Sequence, residues 1–130
     1  MSMHRILIVD DEVGILNILS DVAKLAGFSV KTAGDYKAFK EILLDFEPLI
    51  VMQDLNMPDA GIDDFLQLLK ETAGSPQILL MSGVNSQALR TALNMGKKMG
   101  LKMIEPPLEK PFDIVHMEKI LQDLALNIDT

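Results

Sequence analysis

Short apolar runs separated by amphipathic segments constrain the fold of this chain more than any other feature. RILIV from Arg5, LIVMQ from Leu49 and QILLM from Gln77 are almost continuously hydrophobic, a pattern typical of strands covered on both faces. FSVKTA from Phe28 alternates apolar and polar residues, which indicates a strand nearer a sheet edge. LKMI from Leu101 is a weaker candidate. The sequence therefore predicts five strands.

Apolar residues recur at helical spacing in the segment after each of these runs, which predicts five amphipathic helices. Asp35 and Asn85 are the expected N-caps of the second and fourth helices, and Gly27 is the expected stop of the first. Strict alternation of strands and helices favours an α/β fold, a (βα)5 three-layer sandwich with a parallel five-stranded sheet. The expected strand order, 2-1-3-4-5, is the order known for flavodoxin-like sheets of this kind. The predicted helices span 12–26, 36–46, 62–72, 85–99 and 114–126.

Composition excludes several classes of function. With 130 residues, the chain has the length of a single domain. Its net charge of −7 argues against direct binding of nucleic-acid phosphates. The absence of cysteine excludes a disulfide framework and a thiolate metal site, and it fits a reducing compartment, so the cytoplasm is the expected location. No apolar run is long enough to predict a membrane span.

Polar residues close the predicted strands. Asp10 and Asp11 follow the first strand, Asp54 the third, Ser82 the fourth and Lys110 the fifth. Because the carboxyl ends of parallel strands meet at one edge, and the first and third strands are neighbours in this order, the three carboxylates are expected to converge. Such carboxylates repel one another and favour a bound cation, and oxygen ligands on loops favour Mg²⁺.

A phosphoryl group suits a site that combines Mg²⁺ with a lysine ammonium group. A carboxylate can attack phosphorus to form an aspartyl phosphate, and positive groups stabilise the charge on the transferring oxygens. Asp54 is the predicted nucleophile, with Lys110 pairing with the phosphoryl group and the Ser82 hydroxyl donating a hydrogen bond to it. The predicted metal ligands are Asp10, Asp11, Asp54 and the backbone carbonyl of Asn56.

Four motifs, ILIVDDE, DLNMPD, MSG and EKPF, occur in that order and resemble the receiver domain of two-component response regulators over nearly the whole chain. The resemblance implies a single receiver domain, 1–130, that accepts a phosphoryl group on Asp54 from a histidine kinase or phosphotransfer protein. It also implies Mg²⁺ dependence, autodephosphorylation without other enzymatic activity, and switched contacts with a partner protein, an output domain or a second copy in a homodimer. A cis peptide bond before Pro111 is a further implication.

The chain departs from the receiver pattern in two places. Receivers usually carry Tyr or Phe three residues before the lysine, where this chain has Pro107, so an aromatic switch cannot operate there. Ser82, the loop after it and the fourth helix are the remaining candidates for a switching element. The long spacing between Ser82 and Lys110 predicts an extended fourth helix and is similar to receivers joined to EAL cyclic-di-GMP phosphodiesterase domains. A stand-alone receiver and one excised from a longer protein both fit the end of the chain.

Other functions remain open. The main alternative is a degenerate receiver that acts only as a protein-interaction module. A phosphatase of the haloacid dehalogenase type needs an Asp two residues after the nucleophile, and Asn56 stands there. A flavin-binding module of this fold needs a Gly- or Ser-rich phosphate loop, which does not follow the first strand. Taken singly, Asp10 and Asp11 fit an N-cap and Ser82 fits a turn.

Overall fold

A parallel sheet lies at the centre of the fold. The computed structural model describes residues 4–72, 74–83 and 86–128. The strands are β1 (Arg5–Val9), β2 (Ser29–Ala33), β3 (Ile50–Asp54), β4 (Gln77–Ser82), β5 (Lys102–Met103) and β6 (Leu108–Glu109). The helices are α1 (Val13–Leu25), α2 (Tyr36–Phe46), α3 (Ile62–Glu71), α4 (Ser86–Lys98) and α5 (Ile114–Ile128). The strands lie in the order β2-β1-β3-β4-β5, β6 also pairs with β4, and helices alternate with the strands except between β5 and β6, so the predicted flavodoxin-like fold and its strand order are confirmed.

Two apolar clusters, one on each face of the sheet, form the core. Side chains alternate between the faces along a strand, so Ile8 and Met52 pack with residues of α1 and α5. Leu7 and Val51 face the other way, towards α2, α3 and α4. Continuous apolar runs are therefore required in the central strands because both faces of the sheet are covered.

Local hydrogen bonds fix the ends of the helices near the carboxyl edge of the sheet. The Asp35 carboxylate accepts the backbone N–H of Ala38 at 2.8 Å, which confirms it as the N-cap of α2. Asp59, in the loop after β3, accepts the N–H of Tyr36 at 2.9 Å. This second bond ties the loop that follows Asp54 to the start of α2. The predicted cap at Asn85 lies outside the described residues.

The fifth strand differs from its prediction, because it is divided into β5 and β6. Both pieces pair in parallel with β4, Met103 opposite Ile78 and Leu108 opposite Met81. Residues 104–107 lie between them, and Pro106 and Pro107 have no N–H with which to continue a ladder. The strand predicted in LKMI is therefore confirmed at Lys102–Met103, whereas the second piece, β6, was not predicted.

The long spacing before Lys110 contains both α4, with 13 residues, and the segment 104–107 between β5 and β6. The extension of the fourth helix relative to other receivers stays a prediction. Peptide bonds 105–106 and 110–111 are cis, and the second confirms the expectation for Pro111. No helix in the described part of the chain is long and apolar enough to cross a membrane.

Candidate functional site

The structure brings the predicted site residues together at the carboxyl edge of the sheet. Asp10 follows β1, Asp54 ends β3, Ser82 ends β4 and Lys110 follows β6, on strands that are neighbours in the sheet. Asp10 is fully buried, and Asp54 and Ser82 are 3% and 2% exposed. Polar groups buried to this degree need partners or a function, because burial without a partner costs free energy.

Lys110 joins the two buried carboxylates. Its Nζ donates a hydrogen bond to Oδ2 of Asp10 and lies 3.5 Å from Oδ1 of Asp54. The backbone N–H of Lys110 donates to the carbonyl oxygen of Ser82 at 2.9 Å. This backbone bond holds the lysine at the end of β4, so its side chain can reach across to β3 and β1.

The acids after β1 form a group that extends from the buried site to solvent. Oδ1 of Asp10 accepts the N–H of Glu12 at 3.0 Å, which shapes the entry into α1. Asp10, Asp11 and Glu12 offer carboxylate oxygens within 4.8 Å of one another, and the last two residues are exposed. Glu12 was missed as a candidate, although its signal was present as the third acid of the DDE run.

Burial and charge act against each other at Asp54. Burial raises the pKa of Asp54, the neighbouring Asp10 raises it further, and Lys110 and the backbone N–H of Asn56 lower it; the net pKa is above the usual 3.8. Burial lowers the pKa of Lys110, but the hydrogen bond to Asp10 and the charge of Asp54 outweigh burial and raise it above 10.5. One lysine does not balance two buried carboxylates, so the pocket retains excess negative charge.

The donor set fits a hard divalent cation. Carboxylate oxygens are the ligands that Mg²⁺ prefers, and a cation beside Asp54 and Asp10 would offset the repulsion that raises the pKa of Asp54. Asp11 lies on the solvent side of the group, so an ion held there would keep part of its hydration shell. Asn56 lies in the exposed turn after β3, with its N–H directed to the Asp54 carboxylate.

Gln53 is a buried polar residue that the sequence interpretation did not single out. It is fully buried, and its Nε2 donates to the backbone carbonyl of Asp54 at 3.1 Å. Among the described residues, its Oε1 has no hydrogen-bond partner. The sequence feature that could have identified Gln53 is its position as a polar residue at the end of the apolar run LIVMQ. Its side chain helps to fix the backbone at Asp54.

Comparison with known proteins identifies the family. The family model "Response regulator receiver domain" matches residues 6–122, so the chain belongs to the response regulator receiver domain family. Regulatory protein AtoC of Escherichia coli is 28% identical over 122 residues, 93% of this chain and 25% of AtoC. The chain thus spans about a quarter of the length of that relative.

Two solved structures share both the fold and part of the sequence. A response regulator receiver domain from Bermanella marisrubri has a TM-score of 0.74 and 30% identity, and the match covers 92% of this chain and 96% of that one. A response regulator from Colwellia psychrerythraea has a TM-score of 0.80 and 26% identity, with 97% and 99% of the two chains covered. The structural likeness covers almost the full length of this chain and of both solved chains.

Proposed function

We propose that Asp54 accepts a phosphoryl group from a histidine kinase or a histidine phosphotransfer protein in a step that requires Mg²⁺. The resulting aspartyl phosphate then changes the contacts of the chain with a partner protein or an output domain. A nearly buried carboxylate that faces a lysine ammonium at 3.5 Å supports this role most directly. Membership of the receiver family supports it as well.

The chemistry follows from the groups around Asp54. A carboxylate oxygen of Asp54 forms a bond to phosphorus while the bond from phosphorus to the donor nitrogen breaks, and the imidazole leaves with the electron pair. Lys110 exchanges its contacts with the two carboxylates for contacts with phosphoryl oxygens. Ser82, buried at the end of β4, donates its hydroxyl hydrogen to one of them.

Asp10, Asp11, Asp54 and the carbonyl of Asn56 are the proposed Mg²⁺ ligands. When bound by these residues, the ion would supply positive charge to the phosphoryl oxygens. Asn56 occupies the place where an aspartyl phosphatase would carry its general acid, and an amide cannot transfer a proton in that role. The chain therefore acts as a stoichiometric acceptor and not as an enzyme with turnover.

Acetyl phosphate tests the proposed function without a partner protein. The chain is incubated with acetyl phosphate and either Mg²⁺ or EDTA, and its intact mass is measured before and after treatment with hydroxylamine. We expect one phosphoryl group per chain with Mg²⁺, none with EDTA, and loss of the group in hydroxylamine because an acyl phosphate is cleaved and a phosphoserine is not. No adduct in a folded chain that binds Mg²⁺ would favour the interaction-only receiver.

Asp11→Asn is expected to weaken Mg²⁺ binding by about tenfold or more, since it removes one charged oxygen ligand from a small set. Asp11 is exposed, so the substitution leaves the core unchanged. Calorimetric titration with Mg²⁺ measures the effect, and Asp63→Asn, an exposed acid in the first turn of α3, is the matched control. Equal affinities of the two variants would remove Asp11 from the proposed ligand set.

A further inference from the structure

Gln53 is a buried amide that has no part in the phosphoryl-transfer chemistry described above. It lies beside Val9 of β1 and Leu80 of β4 in the register of the sheet, and both of these residues belong to the apolar cluster on the α2, α3 and α4 face. Registered neighbours in a sheet point to the same face, so the fully buried Gln53 side chain lies among apolar groups. An apolar side chain of similar length would suit these surroundings.

The amide of Gln53 is satisfied on one side only. Its Nε2 donates to the backbone carbonyl of Asp54 at 3.1 Å, and the nitrogen must be the atom that faces this carbonyl because two oxygen acceptors repel each other. Its Oε1 meets no donor within the part of the chain that the structure describes. A buried oxygen without a partner typically costs at least as much free energy as one neutral hydrogen bond contributes. Net stability therefore does not account for a glutamine at this position.

The hydrogen bond from Gln53 holds the peptide group between Asp54 and Leu55. The N–H of that peptide donates to the carbonyl of Met81 in β4 at 2.9 Å. In a trans peptide the carbonyl points the opposite way, towards β1, where the ladder with β3 ends at the pair of Val9 with Gln53. The Gln53 side chain supplies the donor on that side. Both ends of the peptide are therefore fixed, one by the sheet and the other by Gln53.

This peptide group joins the proposed phosphoryl acceptor to the loop that carries a proposed metal ligand. Its orientation sets ψ of Asp54 and so the direction in which the chain leaves β3. Asn56 follows, with its N–H directed to the Asp54 carboxylate. Rotation of the peptide would shift this N–H and the carboxylate relative to Lys110, whose Nζ lies 3.5 Å from Oδ1 of Asp54.

We propose that Gln53 is a positioning residue for phosphoryl transfer, which holds the peptide after Asp54 so that the carboxylate keeps the direction from which it attacks phosphorus. This role rests on the proposed function of Asp54 as the phosphoryl acceptor. Successive side chains of a strand point to opposite faces, so Gln53 acts through the backbone and not through contact with the phosphoryl group. Small errors in the direction of a nucleophile lower the rate strongly, because the reactive geometry is reached less often.

Gln53→Met tests this role because methionine has a similar length and volume and lacks both amide groups. The rate of phosphorylation is measured by intact mass at saturating Mg²⁺ over a range of acetyl phosphate concentrations. We expect the limiting rate to fall by about tenfold. The acetyl phosphate concentration that gives half the limiting rate is expected to change by less than about twofold, because Gln53 does not bind the donor.

Gln77→Met is the matched control. Gln77 is a partly buried glutamine at the start of β4, at the amino edge of the sheet, whereas Asp54 ends β3 at the carboxyl edge. This variant is expected to keep both kinetic constants of the parent. Gln53→Leu is a second apolar replacement that is expected to reproduce the effect of Gln53→Met, and urea denaturation checks that each variant is folded under the conditions of the assay.

Hydrogen exchange followed by NMR measures the structural effect of the Gln53 hydrogen bond. We expect the Leu55 and Asn56 amides to exchange at least about tenfold faster in Gln53→Met than in the parent, while the amides of β1 exchange at the rate of the parent. Faster exchange throughout the chain would show a general loss of stability and would overturn the positioning role.

The kinetic outcomes separate the positioning role from the proposed function. Equal limiting rates in the parent and Gln53→Met, with Asp54 phosphorylated in both, would overturn the positioning role alone. A change confined to the half-saturating concentration would assign Gln53 to donor binding and would overturn it as well. Absence of phosphorylation in a folded parent that binds Mg²⁺ would overturn the proposed function of Asp54 and the role of Gln53 with it.

Discussion

Asp54→Asn is expected to raise the free energy of unfolding at neutral pH by about 1–3 kcal/mol, the size of the desolvation penalty of a buried polar group. The Asp54 carboxylate is 3% exposed and lies near Asp10. Burial and that neighbouring charge raise its pKa, so its ionised form is less favourable in the folded chain than in the unfolded chain. Urea denaturation in the absence of Mg²⁺ measures the gain.

The pH dependence of this gain has a defined sign. Because the folded chain holds the proton of Asp54 more tightly than the unfolded chain, the parent loses stability as pH rises from 3.8 through the raised pKa. The asparagine variant does not titrate at this position. The variant's gain in the free energy of unfolding over the parent is therefore complete above the raised pKa and disappears below pH 3.8.

Asp63→Asn provides the matched control, since it removes an exposed carboxylate and is expected to change stability by less than about 0.5 kcal/mol. Added Mg²⁺ is expected to stabilise the parent more than the Asp54→Asn variant, so the difference in their free energies of unfolding becomes smaller. A variant less stable than the parent at neutral pH would contradict the view that the pocket carries excess negative charge.

Lys110→Met is expected to lower the free energy of unfolding by about 3–5 kcal/mol, because removing one partner of a buried ion pair leaves an uncompensated charge. The Lys110 side chain is 12% exposed and contacts both Asp10 and Asp54. Methionine retains an unbranched side chain and removes the ammonium group. Chemical denaturation at neutral pH measures the loss.

The stabilising effect of Lys110 also depends on pH. Burial lowers the pKa of Lys110, but the hydrogen bond to Asp10 and the charge of Asp54 together raise it above its usual value. The contribution is therefore fully present below pH 10.5 and is lost as pH rises through the raised pKa. Lys119→Met, at an exposed position on α5, controls for the loss of a lysine.

A double variant tests whether the loss arises from the two carboxylates. In Lys110→Met/Asp54→Asn one of the two unpaired acids is absent, so Asp54→Asn is expected to gain more stability in the Lys110→Met background than in the parent. Equal gains in the two backgrounds would show that Lys110 and Asp54 do not interact across their 3.5 Å contact.

The central strands and most helices could be predicted because their patterns have one physical explanation. Continuous apolar runs of five or six residues suit strands covered on both faces, and β1, β3 and β4 lie where RILIV, LIVMQ and QILLM predict them, within one residue. The division of the fifth strand was not predicted. Pro106 and Pro107 interrupt the ladder after β5, and the return of the chain to β4 at Leu108 depends on tertiary pairing.

The grouping of the candidate site residues was predictable because parallel strands end at one edge of the sheet. The individual contacts were not. A sequence does not show that Lys110 donates to Asp10 while it also lies near Asp54, since this depends on side-chain rotamers.

The measurement that tests the central claim most directly is the location of the phosphoryl group. The chain is phosphorylated with acetyl phosphate and Mg²⁺, the acyl phosphate is reduced with borohydride, and tandem mass spectrometry of the digested protein identifies the modified residue. The account predicts modification at Asp54 and none there when Mg²⁺ is replaced by EDTA. Modification of another acid, with Asp54 intact, would contradict it.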